Sequence, residues 1–199
     1  MRAPKFSELL LCTGNAGKVA ELRHLLPAGA GVTSLAEAGL PLDLPETGDT
    51  LEANALQKAR YAYERSGLPC LADDTGLEVD ALGGAPGVRS ARYAGPEKDA
   101  QANMRKLLEE LQGQVDRRAR FRTVIAFVAA GIERCFEGKI EGVITHAPRG
   151  AAGFGYDPIF QPFGHSRTFA EMSIAEKNTL SHRAEAMRKA VAYLSDQPR

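Results

Sequence analysis

Two strand-forming stretches, residues 119–130 and 134–145, stand on either side of Gly131 and constrain this chain more than any other feature. Neither contains proline, and a glycine between two such runs marks a hairpin turn. The longest apolar run, residues 124–132, is far shorter than the ~20 residues that cross a bilayer. It therefore reads as a strand buried in a sheet, and no membrane partner is expected.

Strand and helix patterns alternate along the rest of the chain. Residues 6–13 read as a buried first strand. Residues 18–26 read as a helix with Val19, Leu22, Leu25 and Leu26 on one face, stopped by Pro27. Residues 35–44 are irregular and proline-punctuated. A helix capped by Asp49 or Thr50 runs to Ser66, with Gly67 at its end and Pro69 beyond. Short strands are expected at 69–72 and 77–82, the first delivering Asp73 and Asp74 at its tip. Residues 81–95 form a long loop. Ala100, Met104, Leu107, Leu108 and Leu111 mark a helix. A second Gly-rich loop covers 147–155. Leu180, Ala184, Met187, Val191 and Leu194 mark a C-terminal helix, preceded by a short turn capped at Ser173. This order predicts an α/β fold with a mixed sheet, in a single domain over residues 1–199.

Charge and cysteine content remove several function classes. Lys plus Arg (25) equals Asp plus Glu (25), so the basic excess typical of a duplex nucleic-acid binder is absent. A local basic pocket is still allowed. Cys12, Cys70 and Cys135 are widely spaced, which argues against a zinc site or a disulfide framework and for core thiols. Arg2 and Lys5 precede an apolar stretch broken by Glu8, a poor match to a signal peptide. A cytoplasmic location is expected.

Five segments carry possible chemistry. Thr13-Gly14-Asn15-Ala16-Gly17-Lys18 joins a strand to a helix, where small residues let backbone N–H groups approach an anion and Lys18 adds a full charge. It is not a Walker A loop, because Cys12 and Val19 occupy positions that pattern reserves for Gly and Ser or Thr. A plain turn is the alternative. Asp73 and Asp74 stand next to Thr75 and Gly76; two carboxylates there suit a cation or convergent donors, or else form a solvated turn. In extended backbone they point to opposite faces, so one of them enters a site. Glu46 sits in a turn ahead of the capped helix that carries Lys58. Phe154, Gly155, Tyr156 and Asp157 combine backbone access with rings able to stack on a base or to plug a core. Lys177, His182 and Arg183 gather donors around the start of the last helix, a basic cluster that an anion or polar ligand would offset.

Six ordered blocks, Thr13 to Lys18, Glu46-Thr47-Gly48 with Glu52-Ala53-Asn54-Ala55, Ala72 to Leu77, Gly83 to Val88 with Ser90-Ala91-Arg92-Tyr93, Gly153 to Pro158, and Ser181-His182-Arg183, resemble the inosine triphosphate pyrophosphatase family over residues 8–195. The pattern is similar to its bacterial members, which act on non-standard purine nucleotides. The resemblance implies an elongated mixed sheet with two lobes around a nucleotide cleft, and a homodimer. It implies Mg²⁺-dependent hydrolysis of dITP, ITP and XTP to the monophosphate plus pyrophosphate. By position, the Thr13–Lys18 loop and Lys58 would handle the triphosphate, and Glu46 and Asp74 the metal, with Asp74 also accepting a proton. Thr75, Phe154, Gly155, Tyr156, Asp157, Lys177, His182 and Arg183 would contact the nucleotide. Thr75 stands where many bacterial members carry Ser and keeps the hydroxyl. A Maf-type pyrophosphatase and a non-catalytic nucleotide-binding module are the alternatives.

Overall fold

Among the residues described by the computed structural model, 8–26 and 29–196, seven strands form one mixed sheet. They are β1 (Glu8–Leu11), β2 (Gly31–Ser34), β3 (Cys70–Val79), β4 (Pro86–Gly87), β5 (Arg118–Ala129), β6 (Ile132–Ile144) and β7 (Phe160–Pro162). The order is β2-β1-β3-β5-β6-β7, with β4 beside β3. β1 runs parallel to both β2 and β3, while β4 and β7 run antiparallel to β3 and β6. The helices are α1 (Ala16–Leu25), α2 (Leu51–Ser66), α3 (Ala100–Glu110), α4 (Ile174–Leu180) and α5 (His182–Asp196). The expected strand start at Phe6 and helix stop at Pro27 lie outside the described residues. No helix among them is long and apolar enough to cross a membrane.

The hairpin is where the sequence puts it: β5 and β6 flank Ala130 and Gly131, and Gly131 takes the left-handed φ of +70° that favours glycine. Two other expectations change. β2 was not foreseen, because four half-buried residues carry too little alternation to signal a strand. The strands expected at 69–72 and 77–82 are one ten-residue strand, β3, so Asp73 and Asp74 lie inside it rather than at a tip. Charged side chains mimic a strand end when they are in fact paired within the fold.

The chain divides into two compact units. The first comprises Met1–Asp74, Thr123–Gly138 and His182–Arg199. Its core joins Leu9 and Leu11 of β1, Leu71 of β3, and Ile125, Phe127 and Ala129 of β5 to Leu22 of α1 and Ala186, Met187, Ala190 and Leu194 of α5. Alternation along β3 puts Asp73 on the same face as Leu71, toward α1 and α5, and Asp74 on the other. Ile132 and Phe136 turn toward this core, so Cys135 is left on the outer face of β6; it is exposed, unlike the buried Cys12 and Cys70. The expectation of three core thiols fails there.

The second unit comprises Thr75–Arg122 and Lys139–Ser181. Its core packs Met104, Leu107 and Leu111 around Leu77, Val79, Phe121, Phe160 and Phe169, with the Phe121 and Phe160 ring centroids 4.7 Å apart. On β5, Arg120 and Arg122 alternate with core residues and pair with Glu78, Asp80 and Glu141. Partly exposed pairs of this kind add little to stability but keep the outer face of the sheet polar.

Candidate active site

The Thr13–Lys18 loop is built for a close backbone approach. A Cβ on Gly14 would lie 2.4 Å from the Leu42 carbonyl oxygen, so only glycine fits. Asn15 caps α1, its Oδ1 accepting the Lys18 N–H at 3.1 Å. Thr13 Oγ1 accepts the Asn15 N–H at 3.2 Å. Asn15 and Ala16 are exposed, and the first turn of α1 contains no acidic residue, so its N-terminal potential is left open to an anion.

Lys18 begins a buried chain of alternating charge. Its Nζ lies 3.0 Å from Asp73 Oδ2, Arg183 Nε lies 3.3 Å from the same oxygen, and Arg183 Nη1 pairs with Glu21. Arg183 is 1% exposed. Burial opposes the Asp73 charge, but Lys18, Arg183 and Lys58 overcome it and hold the carboxyl well below the usual range. Burial also lowers Lys18, against the pull of Asp73. Glu21 was not singled out from the sequence. Its spacing of three from Lys18 on α1 was the available signal.

On the other face of β3, Lys58 of α2 is 5% exposed. Its Nζ donates to Glu46 Oε1 at 2.5 Å, to the Asp73 carbonyl at 2.7 Å and to Asp74 Oδ1 at 3.1 Å. Burial disfavours the ammonium, yet Asp74, Glu46 and Asp73 raise its pKa above the ordinary lysine value. Burial is the largest influence on Asp74 and raises it; Glu46 adds to this, and the opposing pull of Lys58 and Lys18 does not cancel it. Asn54 Nδ2 donates to Asp74 Oδ2 at 3.3 Å, and Asn54 Oδ1 accepts the Gly48 N–H at 2.8 Å. Gln57 holds Thr47 through two bonds of 2.9 Å. One helix thus fixes both the Glu46 turn and Asp74. Gly48 is required, since a Cβ there would meet Ala53 Cβ at 2.7 Å. Asn54 stood in the sequence motif without a role, and Gln57 carried no signal.

The second unit holds its own cluster. Asp157 Oδ2 accepts the Phe154 N–H at 2.9 Å and Lys177 Nζ at 2.6 Å. That ammonium lies 5.0 Å from the Phe154 ring centroid and 5.1 Å from that of Phe169. Gly153 has φ +74°, and a Cβ there would press on Asp157 Oδ2 at 2.2 Å. Gly155 is also left-handed, at +62°. Tyr156 is a core residue whose hydroxyl donates to the Ser90 carbonyl at 2.9 Å. Thr75 is half-buried at the start of this unit. The structure therefore gathers Lys18, Asp73 and Arg183, then Glu46, Lys58 and Asp74, then Phe154, Asp157 and Lys177.

His182 opens α5 and is buried. Its turn rests on Gly138 of β6: a Cβ at 138 would lie 2.1 Å from the His182 carbonyl oxygen and 2.5 Å from Ala186 N. Gly138→Ala is therefore expected to push α5 away from β6 and cost about 1–3 kcal/mol, the range for overpacking. Thermal unfolding measures it; an unchanged midpoint would show that the strand and helix separate freely there.

A mixed α/β sheet with a glycine-bearing strand-to-helix loop, paired lysines and carboxylates from distant segments defines a class of phosphate-handling α/β proteins. Comparison with known proteins narrows this. The model of the Ham1 family matches residues 9–193, and the chain belongs to that family. It is similar to the dITP/XTP pyrophosphatase of Porphyromonas gingivalis, 53% identical over 95% of this chain and 96% of the relative. The Bacillus subtilis dITP/XTP pyrophosphatase is 48% identical over 92% of this chain and 94% of the relative. Among solved structures, the Coxiella burnetii HAM1 protein superposes with a TM-score of 0.86 at 41% identity, over 96% of this chain and 99% of that one. The Staphylococcus aureus Ham1 protein gives 0.84 at 38% identity, over 94% and 97%.

Proposed function

We propose that this protein is a nucleoside-triphosphate pyrophosphatase acting on dITP, XTP and ITP, releasing the monophosphate and pyrophosphate. The relatives' activity supports the substrate class. The observation that carries the chemistry is the meeting of Glu46 and Asp74 at one cationic position, where both contact Lys58 Nζ. Those oxygens suit Mg²⁺, which takes one or two carboxylates and completes its shell with phosphate oxygens and water. Among the described residues no group of three or more His, Cys, Asp or Glu forms a full protein cage. Glu46 and Asp74 would hold the ion. When bound, it neutralises phosphate oxygens and offsets charge on the departing pyrophosphate.

Lys18 and the amides of its loop other than those of Asn15 and Lys18, which are held by Thr13 and Asn15, bind the polyanionic tail, and Lys58 adds a second ammonium. Asp74, with its raised carboxyl, accepts the proton of a water attacking the α-phosphorus. Preference for inosine and xanthine over adenine rests on a donor that meets O6 and would be left unpaired against an amino group; His182 and Arg183, buried in the nucleotide-free fold and the latter held by Asp73 and Glu21, would have to open toward the base to supply it. Such mismatches reach about 10⁴-fold. The protein would work as a cytoplasmic homodimer that clears these nucleotides from the pool.

The test is pyrophosphate release from ITP, XTP, dITP, GTP, ATP and the pyrimidine triphosphates, with Mg²⁺ or with EDTA. Release from the first three, abolished by EDTA, is the expected result. Orthophosphate as first product, equal turnover of ATP, or preference for pyrimidines would overturn the reading. Light scattering tests the dimer.

A further inference from the structure

The geometry points to a second role for Lys58: it is a built-in counter-ion that occupies the metal-binding position until substrate arrives. This rests on reading Glu46 and Asp74 as the metal-binding pair. An ammonium has three N–H donors, and all three are used on Glu46 Oε1, Asp74 Oδ1 and the Asp73 carbonyl. The two carboxylates are mostly buried, with side-chain exposures of 19% for Glu46 and 11% for Asp74. Left without a cation they would repel one another. Lys58 offsets that repulsion and keeps the oxygens together.

The arrangement has a cost for metal entry. A divalent ion cannot take these oxygens while the ammonium stays on them, since both would share one small space with like charge. Lys58 must withdraw, and its buried charge then needs another partner. A triphosphate supplies one: its oxygens receive Lys58 as the ion takes Glu46 and Asp74. The nucleotide-free protein should therefore bind divalent ions weakly, and metal and triphosphate should bind together. Lys58 acts here as a positioning residue for the metal ligands.

Mn²⁺ is the probe, titrated into nucleotide-free protein and followed by calorimetry or by the paramagnetic resonance of free Mn²⁺. Lys58→Met removes the competing charge and keeps the chain length. It is expected to bind Mn²⁺ about 10- to 10³-fold more tightly than the wild type, the size of effect one charge exerts on a neighbouring ionisable group. Adding Glu46→Gln should reverse the gain. If circular dichroism shows that Lys58→Met does not fold, Lys58→Gln, which retains a donor for the Asp73 carbonyl, carries the same expectation. Mn²⁺ affinity no greater than wild type in the folded variant overturns the proposal. Wild-type ITP hydrolysis is assayed separately: turnover with no affinity gain refutes the role of Lys58 alone, whereas absent turnover refutes the proposed function and leaves the titration to decide the role of Lys58.

Discussion

Asp74→Asn is expected to leave the chain folded and to lower ITP hydrolysis by about 10²- to 10⁴-fold, the contribution of a positioned proton acceptor. The amide keeps the shape of the side chain, and its oxygen can still accept from Lys58, which lies 3.1 Å from Asp74 Oδ1 in the native protein. Asn54 Nδ2, 3.3 Å from Asp74 Oδ2, loses its acceptor if the new amide nitrogen takes that side, a modest cost beside the loss of the base. What disappears is a negative charge on the metal-binding pair and an oxygen able to take a proton. Loss of the proton acceptor acts on the chemical step and lowers kcat, while loss of charge on the metal pair, which binds together with the triphosphate, raises KM. Steady-state kinetics on ITP, with circular dichroism as the control for folding, decides the matter. Turnover within a few-fold of wild type would take Asp74 out of the reaction.

Asp73→Asn should act mainly on stability, and strongly. Asp73 Oδ2 is shared by Lys18 and Arg183, and the Asp73 and Arg183 side chains are almost wholly buried. Removing its charge leaves Arg183 with Glu21 and Lys18 without its carboxylate in a place where burial already disfavours the ammonium. Breaking such a buried pair costs about 3–5 kcal/mol. At roughly 2–4 °C per kcal/mol for a chain of this size, the melting temperature should drop on the order of 10 °C. The pH dependence follows from the depressed carboxyl. Its stabilising contribution is fully present above the unfolded value of about 3.9, and is lost as pH falls below that toward the folded value. Wild type should therefore lose more stability than Asp73→Asn when acidified below about pH 4. Urea midpoints from pH 7 to pH 3 measure the difference; parallel curves would mean that the Asp73 carboxyl titrates alike in the folded and unfolded chain.

The division of labour between Asp73 and Asp74 shows how far a sequence can be read. Adjacent residues on extended backbone face opposite ways, and that alternation is local geometry. Which carboxylate meets which cation is not local. Lys18 and Arg183 reach Asp73 because α1 and α5 cover one face of β3, and Lys58 reaches Asp74 from α2. The same limit explains the misreading of β3 as two short strands. Two charges in a row resemble a strand end until helices from distant parts of the chain neutralise them. Gln57 and Gly138 were invisible for the same reason, since their importance lies wholly in what they touch.

The amino-acid order alone determined the hairpin around Gly131, the helix cap at Ser173 and the strand-to-helix turn before α1, and it narrowed the cap of α2 to Asp49 or Thr50, because each depends on periodicity, φ preference or charge within a few neighbours. Tertiary structure alone decided that Glu46 and Asp74 share one ammonium, that Arg183 is a buried link between two carboxylates, and that Cys135 faces outward. Those are contacts between segments far apart in the chain, and packing, which acts through space, selects them.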